Sequence, residues 1–454
     1  MGAVRAGMVT LGTALVTAGA ARGATSLSLG EALTRALADG TSARIARLET
    51  ERAGAGLGEA RADYLPQVGL TSEAGWSNRI NEKLVALDQN GQAKKYGLAT
   101  LGAKQGWLNV TVSQTLLDLR QWRKIERERL AVEVAEVAEA RELDDVAYGV
   151  MHDYARVVQL ERKAAATRQG MADSAWLTER ANNLHGAGRA LEMDRELVRL
   201  HRSGTSLQAR GWDDQARAAQ SDLRLAIDGD EPLHITVDPK SLPDVDPKRA
   251  ASGAVDAVSS SPELRILDLR RRMKDAEVAA ALAGRLPTLK FVSGYSHYGP
   301  KRFDAYSDEL FVGVNIDVPI FDGFRNGNKA RGAEREAEIA RLRYRQTLRE
   351  KRATVRQLIR RLGTGEQRLQ VARDLATAAG EQVRLADLNL KAERGDLRGA
   401  VDARERRGRL ALEAIDAEFA QLDTWARLQR ELGRLAFRIL GPGAAGPAPS
   451  TSAP

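Results

Sequence analysis

The side chains best suited to proton transfer near neutral pH are the five histidines, His152, His185, His201, His234 and His297. They are scattered, none at metal-ligand spacing, and a chain with no cysteine has no thiolate to complete a structural zinc site. No Gly-x-x-x-x-Gly-Lys phosphate loop and no Gly-x-Ser-x-Gly elbow occurs. The 61 acidic residues are so numerous that any pair can be found, and on helices they read as surface charge. No enzyme and no cofactor is expected. Positional information lies instead in charges beside glycine. Gly188 is followed by Asp194, and Gly395 by Asp402, each where a long helical pattern breaks. Arg189, Arg394 and Arg398 lie in the same two stretches. Around a symmetry axis one carboxylate becomes a ring of like charges, which repels itself unless basic groups answer it.

The elements that must carry these charges come twice. Residues 31–66 and 252–287 align without a gap at an offset of 221, each an Ala/Arg/Leu-rich helical stretch ending in Leu-Pro: Leu65-Pro66 and Leu286-Pro287. After each pair come an alternating apolar/polar run, a loop, a second alternating run and a long tract without proline. Such a repeat defines the architectural unit: helix, β-hairpin, long helix, helix. The expected organisation is a signal peptide at 1–20, a first repeat at 21–228, a linker at 229–250, a second repeat at 251–440 and a disordered tail at 441–454. One short strand is expected at 234–237. None of the 13 prolines falls between 67 and 231 or between 320 and 441. Interior proline costs a helix about 3 kcal/mol, so both tracts permit very long helices.

Inside the second tract Val355, Leu362, Leu369, Ala376, Val383 and Leu390 recur every seven residues. Leu358, Gly365, Ala372, Ala379 and Ala386 follow three places on, which makes a coiled-coil seam with small residues on one side. Leu143, Val150, Val157, Ala164 and Met171 keep the same period in the first copy. The helices expected from these patterns run over 119–184 and 326–393, and each reverses into a return helix, to about 226 and 438.

Composition narrows the classes further. Aromatics make up 5% and charged residues 29%, a mixture suited to long helices with thin apolar seams. The net charge of +8 permits an acidic partner, but arginines alternate with acids, as in Arg404-Glu405-Arg406-Arg407, so a nucleic-acid face is not expected. Arg5, the apolar run at 8–16 and Ala18-Gly19-Ala20 have the order of an export signal. No other stretch is long and apolar enough for a transmembrane helix. A membrane placement must therefore rest on strands.

The strands allow it. Val68, Leu70, Ala74 and Trp76 alternate with Gln67, Thr71, Glu73 and Ser77; Leu108, Val110 and Val112 alternate with Asn109, Thr111 and Ser113. The second copy sets Leu289, Phe291 and Tyr295 against Lys290 and Ser296. Its return run sets Leu310, Val312, Val314, Ile316 and Val318 against Asn315 and Asp317. Runs of about ten residues with alternating faces are the signature of barrel strands in a bilayer. Trp76, Trp107, Tyr298, Phe311 and Phe321 lie near their ends, where an interfacial girdle belongs. Four strands do not close, and open edges are not tolerated in hydrocarbon, so several chains must share one barrel.

A duplicated helix–hairpin–long-helix unit behind an export signal resembles the TolC family of outer-membrane channel proteins over nearly the whole mature chain. Val318-Pro319-Ile320-Phe321-Asp322-Gly323-Phe324 is similar to that family's second strand-to-helix junction, apolar-Pro-Leu-Phe-Asp-Gly-Gly. Val112-Ser113-Gln114-Thr115-Leu116-Leu117-Asp118 is similar to the first, with Thr115 where proline is usual. Pro319 is expected to end a strand, Asp118 and Asp322 to cap the following helices, and Gly323 to make the turn. The resemblance implies a fold that is mainly α with membrane β: a homotrimer with a shared twelve-strand barrel and a helical periplasmic tunnel. It also implies an outer-membrane exit channel for efflux or type I secretion, working with a periplasmic adaptor and an inner-membrane pump. In that family a glycine at each tunnel tip is followed six places on by an aspartate. Gly188 and Asp194 fit, with Arg195 where an apolar residue is usual; in the second copy Val401 holds the place and Asp402 comes one later. The alternative from the residues alone is an exported soluble coiled-coil adaptor or scaffold, which would be recovered as a soluble monomer.

Overall fold

The computed structural model describes residues 26–77, 83–87, 93–97, 103–227, 236–299 and 307–441. The expected signal peptide and nearly all of the expected tail lie outside them, as do residues 234 and 235 of the expected short strand. In chain order the first copy comprises β1 (Ser26–Leu27), α1 (Leu29–Asp39), α2 (Thr41–Ala62), β2 (Gln67–Ser77), β3 (Lys83–Leu87), β4 (Ala93–Gly97) and β5 (Ala103–Leu117). It continues with α3 (Leu119–Asp173), α4 (Ala175–Gly186) and α5 (Glu192–Ala226). After β6 (Thr236–Val237) and α6 (Pro247–Ala251) come α7 (Pro262–Ala283), β7 (Thr288–Gly299) and β8 (Ser307–Asp317). The chain then runs through α8 (Arg325–Lys391), α9 (Leu397–Glu431) and α10 (Leu435–Leu440). The 67 residues of α8 extend about 100 Å.

Each long helix begins as the junction residues dictate. Asp118 accepts from the backbone N–H groups of Arg120 (2.9 Å) and Gln121 (3.3 Å), and so caps α3. Asp322 accepts from the Asn326 N–H at 2.8 Å and caps α8, and Gly323 turns the chain at φ +64°. Side-chain amides tie each helix start to the turn before its hairpin. Gln121 Nε2 donates to the Ala60 carbonyl at 2.8 Å, and Asn326 Nδ2 to the Gly284 carbonyl at 2.9 Å. Both exits of the sheet are thereby fixed in direction.

Along α8 the seam is as the heptads require. Val355, Leu358, Leu362, Leu369, Ala379, Val383 and Leu390 are buried, most of them against α9. Val150, Val157 and Ala164 are buried on α3. Two helices differ from expectation. The first long helix breaks at Ser174, whose hydroxyl donates back to the Gly170 carbonyl at 2.8 Å. The final helix breaks at Gly433, with φ +66°, where a Cβ would lie 2.3 Å from Pro262 Cγ. Gly433→Ala is expected to destabilise the chain by at least about 2 kcal/mol in denaturant titration, from left-handed strain and this contact.

The short elements wrap the middle of the helices. β6 pairs in parallel with β1 through Thr236 and Val237, the described part of the strand expected at 234–237. The fully buried Tyr154 of α3 pins both: its hydroxyl donates to the Leu27 carbonyl and accepts from the Asp238 N–H, each at 2.8 Å. Asp144 on the same helix accepts from the Ala436 N–H at 2.9 Å and holds the start of α10. Burial pushes its carboxyl up to about 6, with Asp145 adding to the shift and the backbone bonds to Ala436 and Leu435 opposing it. A folded pKa above the unfolded value means stability present below pH 4 is lost as pH rises to about 6. Asp144→Asn keeps an acceptor for Ala436 and carries no charge. Its thermal stability is expected to exceed the parent's by about 2 kcal/mol at pH 7.5 and to match it near pH 4.

Candidate functional site

Two features are available to act: one sheet and one pair of helix reversals. The sheet has strand order β2-β5-β7-β8, antiparallel throughout. Its register puts the apolar rows on one side. Leu70 pairs with Val110, Val110 with Tyr295 and Tyr295 with Leu310, while Phe291 pairs with Val314 and Leu289 with Ile316. Thr111 and Asn315 belong to the other side. Among the described residues no helix lies across the sheet, and Val68, Leu70, Leu310, Val312, Val314 and Ile316 are exposed. β2 and β8 each leave one edge unpaired. Phe321 is exposed beyond the end of β8. Phe311, expected in the same girdle, pairs with Gly294 on the polar side, and its ring covers Gly313. The side chains of Trp76, Trp107 and Tyr298 lie outside the described residues. Between β2 and β5, where a plain loop was expected, β3 and β4 form a hairpin of their own.

At the far end α4 reverses into α5 and α8 into α9. Gly188 takes φ +67° and the Arg189 N–H closes onto the Leu184 carbonyl at 2.8 Å, a helix stop that glycine favours. In the second reversal the left-handed residue is Glu393, at φ +63°, and the Arg394 N–H closes onto the Asn389 carbonyl at 2.8 Å. Gly395, two residues on, is not in the left-handed region. It allows close approach, since a Cβ there would lie 3.2 Å from both Asn389 Cβ and Leu390 N. Asp396 caps α9 by accepting from the Gly399 N–H at 2.8 Å.

Gly188 and Glu393 hold the same left-handed place in the two reversals, each followed by the same backbone bond, so Asp194, six residues on, and Asp402, nine residues on, are not equivalent. Asp194 is the third residue of α5, its carboxylate 3.4 Å from the Leu191 N–H. Asp402 is exposed on α9, and among the described residues it makes no ion pair; neither do Arg394 and Arg398. Arg189 was expected to answer Asp194 or Asp402. It forms instead a two-bond pair with Glu393, at 2.8 and 2.7 Å, which joins the two reversals. The geometry explains the choice, because the left-handed turn brings Glu393 to the Arg189 fork while Asp194 folds back on its own helix. Arg180 stands 3.9 Å from Glu393, and the hydrogen bonds from Arg189 hold the Glu393 carboxyl below the usual range.

Behind this link sits a small apolar cluster of Leu177, Ala181, Val198, Leu390, Leu397, Ala400 and Val401. Val401 is thus core. Behind the cluster is a charged clamp. The Arg404 side chain is 4% exposed and holds Asp387 of α8 at 2.8 and 3.0 Å, with the Asp173 carbonyl at 3.4 Å. Arg407 reaches the Asp173 carboxylate at 2.6 Å. Three helices therefore meet at the place where α3 breaks. Arg404 was read as one of a run of solvated charges. Its signal was its place on the apolar stripe of α9, seven residues after Leu397.

The outer membrane efflux protein family matches residues 254–434. Protein CyaE of Bordetella pertussis is 24% identical over 332 residues, 69% of this chain; the chain spans 64% of that relative's length. Among solved structures, CusC, described through its folding and transmembrane channel formation, superposes with a TM-score of 0.75 at 17% identity, over 90% of this chain and 92% of CusC. The outer membrane protein VceC of Vibrio cholerae superposes with a TM-score of 0.72 at 14% identity, over 89% of this chain and 96% of VceC.

Proposed function

We propose that this chain, which belongs to the TolC family of outer-membrane channel proteins, supplies one third of an exit duct running from the periplasm through the outer membrane. The observation that carries the reading is the sheet: four strands, one common apolar face, and two unpaired edges. Hydrocarbon tolerates the face and not the edges, so β8 of one chain pairs with β2 of the next. Eight strands fill their own interior, whereas twelve leave a lumen, which favours three copies over two. The repeats at 21–228 and 251–440 each give two strands and two tunnel helices. The helical layer is open on the same terms. Met193, Leu200 and Leu207 stand exposed at seven-residue spacing on α5, and Val371, Leu375, Leu385 and Leu388 are exposed on α8. These rows meet between neighbouring chains as coiled-coil seams do. At the tunnel tip the Arg189–Glu393 pair holds the two reversals together, with Asp402, Arg394 and Arg398 free to line the constriction. A periplasmic adaptor and an inner-membrane pump, of the efflux or type I secretion kind, open it by biasing the tip.

The test is electrical. The purified protein in planar bilayers is expected to give single channels of low conductance. Glu393→Ala, which unlinks the reversals at an exposed site, is expected to raise conductance severalfold with no change in thermal stability. The exchange of Arg189→Glu with Glu393→Arg is expected to restore the parent value. Recovery as a soluble monomer without conductance overturns the channel; an unchanged conductance in Glu393→Ala moves the gate elsewhere.

A further inference from the structure

We propose that the strand-to-helix junctions form a collar that binds the headgroups of anionic phospholipids in the periplasmic leaflet, an inference that rests on the outer-membrane placement above. The register sets both junctions at one height, since Leu117 pairs with Leu289 and Leu289 with Ile316. Just past that level stand Trp122, five residues after Leu117, and Phe321, five after Ile316, both exposed. Ile320 is 95% and Phe324 73% exposed. β8 ends at Asp317, and the exposed apolar residues Val318 and Ile320 follow directly, so the collar begins where the lipid-facing strand stops.

Phe324 is the strongest sign that something covers this region. It has φ +65°, directly after Gly323 at +64°, and a bulky side chain in the left-handed region is strained. That strain places an aromatic ring in the open, edge-on to Phe321 with centroids 5.7 Å apart. A core residue would be buried by such a turn, and a solvent-facing turn would not need a ring. Aromatic side chains that end an apolar row belong at the level of the headgroups, where ring and water interface meet.

Charge selects the kind of lipid. Arg325 follows Phe324 and makes no ion pair among the described residues; it is exposed. Arg120, also exposed, donates to both carboxylate oxygens of Asp118, at 3.3 and 3.4 Å, and that carboxylate also accepts from the α3 backbone. Arg325, with no acid bound to it among the described residues, and to a smaller extent the half-exposed Arg120 in its pair, favour a lipid with net negative charge over a zwitterionic one.

Because the chain has no cysteine, a single introduced thiol reports from one place. Ile320→Cys, Val314→Cys and Arg335→Cys, each labelled with a fluorophore, are compared as assembled protein in vesicles. Lipids brominated near the headgroup are expected to quench the label at 320 and to leave the label at 335 bright. Lipids brominated deep in the chain should quench the label at 314. In mixed vesicles brominated phosphatidylglycerol is expected to quench the label at 320 more than brominated phosphatidylcholine does. That preference should fall about fivefold in Arg325→Gln and by less in Arg120→Gln, whose charge Asp118 already answers. Quenching at 314 with a silent label at 320 overturns the collar and leaves the channel standing, since the next protomer then covers the junction. Equal quenching at 320 by the two lipids also overturns it. A silent label at 314 removes the membrane placement and the collar with it.

Discussion

Val314→Lys is expected to abolish the assembled channel, whereas Asn315→Lys is expected to assemble in nearly parental yield. The two residues are adjacent on β8 and differ in the side of the sheet they occupy. Val314 stands in the apolar face with Phe291, exposed in the single chain with no helix over it. Near the bilayer midplane a lysine on the lipid side costs about 2–4 kcal/mol. Because the barrel is shared, each copy contributes the same penalty. A lysine at 315 points into a lumen where its charge stays hydrated. Ile316→Lys is expected to behave as Val314→Lys, and Thr111→Lys as Asn315→Lys. The measurement is the yield of heat-modifiable oligomer in the outer-membrane fraction. Equal tolerance of lysine at 314 and 315 contradicts a bilayer around these strands.

That experiment probes a feature legible in the residues before any coordinates. Strand alternation has a period of two, so the face of Val314 follows from its neighbours once the run is recognised. The heptads of α8 were equally plain, because Leu362, Leu369 and Leu390 need a partner helix wherever they go. Asp118 and Asp322 announced helix starts through capping chemistry that acts over three or four residues. The harder features depend on contacts distant in sequence. No proline or glycine stands at Ser174 to mark the helix break, and its hydroxyl bond to the Gly170 carbonyl is one that Thr167 also makes, to Lys163, without breaking the helix. The β1–β6 pair joins residues some 210 apart and rests on one tyrosine between them. At the tip, Arg189 had several acids within reach of the imagination, and sequence offered no means of preferring Glu393. The left-handed turn that delivers Glu393 is itself unforeseeable from a non-glycine residue.

The clamp at Arg404 separates stability from gating. Arg404 is buried, bonded to Asp387 through two bonds and to the Asp173 carbonyl, and Arg407 binds the Asp173 carboxylate beside it. Removing one partner of a buried pair costs about 3–5 kcal/mol, because the other is left unanswered. Asp387 is partly exposed and recovers some hydration, so Arg404→Met is expected to lower stability by roughly 2–3 kcal/mol per chain. Methionine fills most of the arginine's volume, which keeps packing losses small. Arg404→Met together with Asp387→Leu is expected to regain most of the stability, since apolar pairs replace buried ionic ones at little cost. The channel readout should part from the melting curve. The clamp ties α9 to α8 and to the break in α3, behind the Arg189–Glu393 link, so its loss frees both reversals together. Arg404→Met is expected to raise conductance and lower thermal stability, whereas Glu393→Ala raises conductance alone. The double variant, stable yet lacking the bonds to Asp173, is expected to stay conductive. If the double variant regains both stability and low conductance, the clamp acts through packing, and the ionic bonds at Arg404 have no part in holding the tip closed.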